Sequence, residues 1–352
     1  MIIDLRSDTV TQPTQEMIEA MTCARTGDDT LGDDPTVMEL EFLASNLLGK
    51  EAALFVCSGT MGNQIAVMTH TNRGEEVLLG HNSHIYNLEV GGLAALSQVQ
   101  ARPFIVENGA YNIFEIENMI QEHGIQKPKT GLICLENTND LNEGLVVPKR
   151  NIDEVCNLAM KYKIPVHIDG ARLFNAEIAS GQKASHIIEK ADSVMIALTK
   201  GLSAPFGAVI AGSSDFITEA KWHRQRLGGG LRQAGFMAAP GIVALKKMKP
   251  QLRRDHDNAR RLSEMLSGIK GLSVFPQKVQ TNIISCKIHQ SIITTDDFIR
   301  ALQEKNIKVK KIAKDKVRMV THSGIVGSDL HFVVKSISDI MNNTFKMMET
   351  SF

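Results

Sequence analysis

The sequence predicts an α/β fold: a mainly parallel sheet with helices on both faces, followed by a smaller C-terminal α+β domain. Three observations predict it. Short apolar runs alternate with helical stretches through the first part of the chain, which is the β-α-β signature. From about residue 250 the pattern changes to a compact mixture of strands and helices. The length of 352 residues suffices for one large and one smaller domain. The expected boundaries are 1–250, carrying an N-terminal arm, and 251–352.

The elements follow in order. Residues 1–14 read as extended, and Pro13 starts a helix over 15–24. Asp28, Asp29, Asp33 and Asp34 lie among Gly and Thr, which fits a turn better than a metal loop; no metal site is expected. Asp34-Pro35 then opens a helix, with Asp as N-cap, a stripe of Val37, Leu40, Leu43 and Leu47, and Gly49 as stop. Ala52–Cys57 is a buried strand. Ser58-Gly59-Thr60-Met61-Gly62-Asn63 follows and leads into a helix marked by Ile65, Ala66 and Met68. Strand, Gly-rich turn and helix N-terminus together make an anion site, because backbone N–H groups and the positive helix end converge there. The turn lacks the Lys of a Walker loop and the glycine spacing of a dinucleotide fingerprint.

Strand 76–80 is next, with His84 just beyond its end; Glu89 and Gly91-Gly92 open the following helix. Strands are expected at 98–106 and 130–136, with a helix at 115–123 between them. Leu135-Glu136-Asn137-Thr138 closes the second strand. Val155, Cys156, Leu158 and Ala159 mark the next helix. Strand 165–168 ends in Asp169-Gly170, and strand 193–198 ends in Thr199-Lys200-Gly201. Strand 208–212 and a polar helix over 214–226 come next. A long helix over 231–265, bent or broken near Pro240 and Pro250, follows. The small domain holds strands 282–288, 307–312 and 316–321 and helices 295–304 and 328–347.

Composition limits the function. The chain is 43% hydrophobic and 22% charged with net charge zero, which argues against nucleic-acid and membrane-surface partners. Cys23, Cys57, Cys134, Cys156 and Cys286 form no C-x-x-C pair and read as reduced thiols of a cytoplasmic protein. No apolar run approaches the roughly 20 residues that span a bilayer, and no signal-peptide pattern opens the sequence.

Ligands of open α/β sheets gather beyond the carboxyl ends of the strands, which places Asp169 and Lys200 at one crevice. Singly, such an Asp reads as a turn or cap residue and such a Lys as solvated. Together they meet the two fixed requirements of pyridoxal 5'-phosphate (PLP) chemistry. A carboxylate keeps the ring nitrogen protonated, and an amine holds the aldehyde as a Schiff base. Ser58, Gly59 and Thr60 supply the matching phosphate cradle.

The chain resembles the low-specificity threonine aldolases, within the fold type I, aspartate-aminotransferase-like PLP enzymes. The matching segments are Leu5–Thr11, Gly27–Asp29 with Gly32–Thr36, Ser58–Asn63, Ser83–Ile85, His167–Arg172, Thr199–Gly201, Gly228–Gly235 and Val317–His322. They run in family order over nearly the whole chain. The resemblance implies cleavage of L-threonine and L-allo-threonine type β-hydroxy-α-amino acids to glycine and an aldehyde. It implies that His84 stacks on the cofactor ring and that Ser7, Arg172 and Arg318 bind the substrate carboxylate. Arg172 would also border the cofactor. Arg226 and Arg232 would reach the cofactor phosphate of a neighbouring subunit in a homo-oligomer, a dimer or tetramer. Lys200, His84, Asp169 and Glu89 are the expected catalytic residues; His84, Glu89 or a held water would take the β-hydroxyl proton. Two positions depart from the family. Leu31 stands where a Tyr is common, and Asn139 where a His is common, both expected near the substrate. These departures imply weaker or shifted threonine cleavage. The alternatives on the same scaffold are a β-eliminating lyase or an amino-acid racemase, or a PLP-binding protein with little turnover.

Overall fold

The computed structural model describes residues 2–121 and 124–350. It divides into two compact units: Pro13–Lys249, and the residues up to Gln12 together with those from Pro250 onward.

The unit Pro13–Lys249 is built on a sheet of β1 (Ala52–Val56), β2 (Glu76–Gly80), β3 (Gln100–Phe104), β4 (Thr130–Glu136), β5 (Val166–Asp169), β6 (Ser193–Ala197) and β7 (Ala208–Gly212). Among the described residues the spatial order is β1-β7-β6-β5-β4-β2-β3. From β6 to β3 every pairing is parallel. β7 runs antiparallel to both β1 and β6. Its reversal follows from the link 198–207, which contains no helix, whereas a parallel return needs a crossover connection. Every residue of β2, β4, β5, β6 and β7 is buried. Strands covered on both faces read as continuous apolar runs, which is how the sequence shows them.

The helix Pro35–Leu48 starts and stops as its sequence signals indicate. Asp34 accepts from Thr36 and Val37 N–H, and Gly49 adopts a left-handed cap with φ 64°. Elsewhere the boundaries move. The strand expected at 98–106 stops at Phe104, and Val106–Glu107 pairs instead with Ala110–Tyr111 as a small hairpin. The helix expected at 115–123 spans Ile113–Met119, because Asn112 caps it by accepting from Phe114 and Glu115 N–H. Glu122 and His123 lie outside the described residues. After Gly91-Gly92 there is only a π-helical turn, Leu93–Ser97. The long helix expected over 231–265 is two helices, Gly235–Lys247 and Lys249–Ser267. Pro240 lies inside the first, and the break falls at Met248, so that Pro250 enters the first turn of the second, where its missing N–H is harmless.

The other unit carries a four-stranded antiparallel sheet in the order Leu272–Ser273, Ile283–Ile288, Lys316–Val320, Lys310–Ala313. Phe298, Leu302, Val333 and Ile337 belong to its core cluster. The strand expected at 307–312 splits. Lys310–Ala313 joins this sheet, and Ile307–Lys308 pairs in parallel with Ile3–Asp4. Ile3 and Leu5 are buried in the same cluster. The N-terminal arm, expected with the large domain, therefore belongs to this unit, tied by a ladder and two apolar side chains. No described helix is long and apolar enough to cross a membrane.

Candidate active site

The cleft forms where four strand ends and one helix start converge, all within Pro13–Lys249. β5 delivers Asp169, whose carboxylate is buried. Its Oδ1 accepts from Ala171 N–H at 3.0 Å and its Oδ2 from Asn63 Nδ2 at 2.8 Å. Gly170 permits the turn there: a Cβ at that position would stand 2.7 Å from the Met195 carbonyl oxygen. β6 delivers Thr199 and Lys200 into a tight turn, in which Ser203 N–H donates to Lys200 O at 2.8 Å. β1 delivers Ser58, whose Oγ caps the helix Gly59–His70 by accepting from Met61 N–H at 3.2 Å. β4 ends in Glu136. The resulting cleft of about 110 Å³ is lined by Ser58, Gly59, Thr60, His84, Asp169, Arg172 and Lys200, joined by Asn63, Glu136, Thr138 and Asp140.

Its electrostatics are set by paired groups. His84 Nδ1 lies 2.9 Å from Glu89 Oε1, and this hydrogen bond raises the imidazole pKa against the effect of burial. Glu89 also accepts from Asn63 Nδ2 at 2.8 Å and from Gln64 Nε2 at 2.6 Å. Glu136 accepts from His84 N–H and from Asp140 N–H, both at 2.7 Å. Burial, and then the nearby Asp169 charge, push the Glu136 carboxyl up to about 8. Arg172 Nη1 pairs with Asp140 Oδ1 at 2.9 Å, both side chains being largely buried. His84, Glu89 and Asp169 present ligand-type atoms within 4.8 Å of one another. Asn63 sits between the two carboxylates and donates to each, so hydrogen bonds already engage all three.

Seven residues expected at the site thus line one cleft: Ser58, Gly59, Thr60, His84, Asp169, Arg172 and Lys200. Others fall elsewhere. Glu89 stands behind His84 rather than on the wall. Asn139 does not line the cleft. The chain bends beyond the end of β4, and Glu136, Thr138 and Asp140 line the cavity, while Asn137 bonds Val147 and Asn139 is buried outside its lining. Leu31 is 75% exposed and borders a separate cavity of about 630 Å³. Arg226 approaches His223 Nδ1 at 3.1 Å, beside Thr69, Thr71 and Arg73. That is the far end of the helix Gly59–His70, ~18 Å from the Ser58 cradle for a helix of this length. Arg232 pairs with Asp28 at 2.9 Å on the surface. Ser7 and Arg318 belong to the other unit. There Ser7 caps the turn Asp8–Val10, and Arg318 is buried on the strand Lys316–Val320.

Sequence reasoning gave no role to Asn63, Glu136, Asp140 or Arg224. Glu136 and Asp140 could have been sought as polar residues at and beyond the end of an apolar strand. Arg224 is buried, donating to Phe55 O at 2.8 Å and pairing with Asp29 at 2.9 Å; nothing separates it in sequence from its exposed neighbours.

Comparison with known proteins agrees with this geometry. The beta-eliminating lyase family matches residues 4–289. The low-specificity L-threonine aldolase 1 of Arabidopsis thaliana is 42% identical, covering 96% of this chain and 96% of its own. The low specificity L-threonine aldolase of Escherichia coli strain K12 is 38% identical, covering 91% of this chain and 94% of its own. The solved threonine aldolase of Leishmania major superposes with a TM-score of 0.82 at 17% identity, covering 96% of this chain and 99% of that one, which shows a shared fold. With strand order, cleft and full-length similarity in agreement, the chain belongs to the low-specificity L-threonine aldolase family of beta-eliminating lyases.

Proposed function

We propose that this chain is a PLP-dependent carbon–carbon lyase that cleaves L-threonine and L-allo-threonine type β-hydroxy-α-amino acids to glycine and an aldehyde. The observation that carries the reading is the convergence of Asp169, His84, Lys200 and Arg172 with a helix N-terminus in one cleft.

The residues present fit PLP. The first turn of Gly59–His70 offers N–H groups and a positive helix end for a phosphate. Asp169 is a fixed carboxylate for a ring nitrogen, and the His84 imidazole is a flat face for a ring. Lys200 supplies the amine for the aldehyde. When bound, PLP supplies an electron-withdrawing ring that accepts the electron pair released at the substrate Cα. The protein does the rest. Arg172, held by Asp140, presents a guanidinium fork to the substrate carboxylate and so fixes which Cα bond is aligned for cleavage. His84 is held at Nδ1 by Glu89; its Nε2 is then the ring atom available to exchange a proton with the β-hydroxyl. Glu89 acts through His84, and Glu136 braces the loop that carries it. Ser7 and Arg318 are proposed, by family resemblance alone, as further residues for the substrate carboxylate.

The test is direct. The purified protein is expected to be yellow, and borohydride to fix the cofactor covalently on Lys200. Threonine and allo-threonine are expected to give glycine and acetaldehyde. Lys200→Ala should abolish multiple turnover; undiminished steady-state activity in that variant, or ammonia and a keto acid as main products, would overturn the reading.

The protein is further proposed to act as a homo-oligomer in the cytoplasm. Leu31, Met38, Phe42 and Trp222 are exposed around the 630 Å³ cavity, and Arg226 and Arg232 lie away from the cleft of their own chain. All five cysteines are unpaired, as a reducing compartment keeps them. Light scattering at assay concentration should show at least a dimer; an active monomer would refute the assembly.

A further inference from the structure

A line of hydrogen bonds behind the cleft is not used by the reaction as described. Asn63 Nδ2 donates to Glu89 Oε1 and to Asp169 Oδ2, each at 2.8 Å. Asn63 Oδ1 lies 3.1 Å from His167 Nε2. His167 Nδ1 lies 2.8 Å from Ser193 Oγ, which lies 2.7 Å from His70 Nε2. Asn63, His167 and Ser193 are buried.

The donors and acceptors in this line assign one another. A carboxylate only accepts, so the Asn63 amine must face Glu89 and Asp169. The Asn63 oxygen must then accept, which puts the His167 proton on Nε2. In a neutral imidazole the other nitrogen accepts, so Nδ1 takes the Ser193 hydroxyl proton. Ser193 Oγ in turn accepts from His70 Nε2–H. Burial keeps His167 neutral, pushing it down to about 3. Turning the amide over would set an oxygen against two carboxylates and leave His167 Nε2–H facing an N–H group.

We propose that Asn63 is a positioning residue that holds the Asp169 and Glu89 carboxylates in one orientation, and that His167, backed by Ser193 and His70, fixes the direction of its amide. The proposal rests on reading the cleft as a PLP site. It links the acid assigned to the ring nitrogen and the acid that holds His84 through a single side chain. A core-filling role for His167 would require its shape and not its proton.

Two readouts test it. With 15N-labelled histidine, NMR of the protein with and without PLP should show His167 as the neutral Nε2–H tautomer from pH 6 to pH 8. PLP dissociation constants of three folded variants supply the second. His167→Gln keeps an amide N–H where Nε2–H stood and should stay within about threefold of the parent, whereas His167→Phe and Asn63→Leu should weaken PLP at least about tenfold. An Nδ1–H tautomer, titration of His167 near its ordinary value, or a Phe variant that binds as tightly as the parent would overturn the proposal. If a leucine or phenylalanine variant does not fold, the tautomer of the parent protein still decides. A parent chain with the Nε2–H tautomer that takes up no PLP would overturn the functional reading while upholding the placement of Asn63.

Discussion

The wall formed by Glu136, Thr138 and Asp140 decides what a departure from the family pattern can do. Asn139 was expected to meet the substrate, and its replacement of the common His to weaken threonine cleavage. In the structure its backbone bridges Leu145, with Asn139 N–H donating to Leu145 O at 2.9 Å, and its side chain is buried. Tyr111 is buried close by, its hydroxyl 3.0 Å from both Glu136 O and Glu136 N. A larger ring at 139 has no cleft to enter and must crowd this packing. Asn139→His is therefore expected to lower stability by about 1–3 kcal/mol, as overpacked sites do, with no gain in threonine cleavage. Thermal melting and kcat/KM on threonine check it. A gain of tenfold or more at unchanged melting temperature would restore the direct role. Leu31→Tyr belongs to a different surface, so its effect should be independent of Asn139→His and additive with it.

At the scale of elements, the site depends on how closely the helix Gly59–His70 lies on the sheet. A Cβ at Gly62 would stand 2.8 Å from Ile210 Cγ2 on β7 and 2.9 Å from Met195 Cγ on β6. This glycine belongs to the motif read as a phosphate cradle, yet its constraint is packing. Gly62→Ala is expected to push the helix off the sheet, costing about 1–3 kcal/mol. Because the helix start forms one wall of the cleft, PLP affinity should fall with it. A calorimetric melt and a PLP titration on the same preparation test both effects; unchanged values in each would show that the helix tolerates the methyl. The antiparallel β7 contributes to the same geometry. It brings β1, and so Ser58, to the β6 side of the sheet that carries Lys200.

For the whole molecule, buried neutral histidines contribute stability that is lost toward acid pH. Burial lowers His167 to about 3 and His70 to about 4. An unfolded histidine titrates near 6.5, so between about pH 6.5 and these values the unfolded chain binds more protons. Stability then rises with pH and is lost as pH falls through that window. At pH 5 the loss is about 2 kcal/mol for a histidine that stays neutral in the fold. His84 has the opposite sign: its raised pKa favours the fold below its ordinary value and loses that effect as pH rises. Buried carboxyls work in the opposite direction over the same range, Glu136 being raised to about 8, so the His167 contribution is read by difference. In denaturant titrations at pH 7 and pH 5, His167→Gln should gain about 2 kcal/mol relative to the parent on going to pH 5. An equal change in both proteins would remove His167 from the account.

Much of this protein was determined by its sequence alone. Periodicity placed the sheet strands and most helices, since apolar runs covered on both faces leave an unambiguous trace. Local chemistry fixed starts and stops, such as Asp34, Pro35 and Gly49. The cradle, Asp169 and Lys200 were legible because each sits at an element end whose chemistry is local, whereas His84 and Arg172 were expected from family resemblance. What joined them was not local. Strand order decided that the ends of β1, β4, β5 and β6 share a cleft. The bend beyond Glu136 turned Asn139 away, and the pairing of Ile3–Asp4 with Ile307–Lys308 moved the N-terminal arm to the other unit. Asn63 shows the difference most clearly. Nothing nearby in sequence distinguishes its amide, and its role arises only when His167, Asp169 and Glu89, distant along the chain, fill its hydrogen-bonding positions. Hydrogen bonds depend on distance and direction between groups, and only the folded chain sets those.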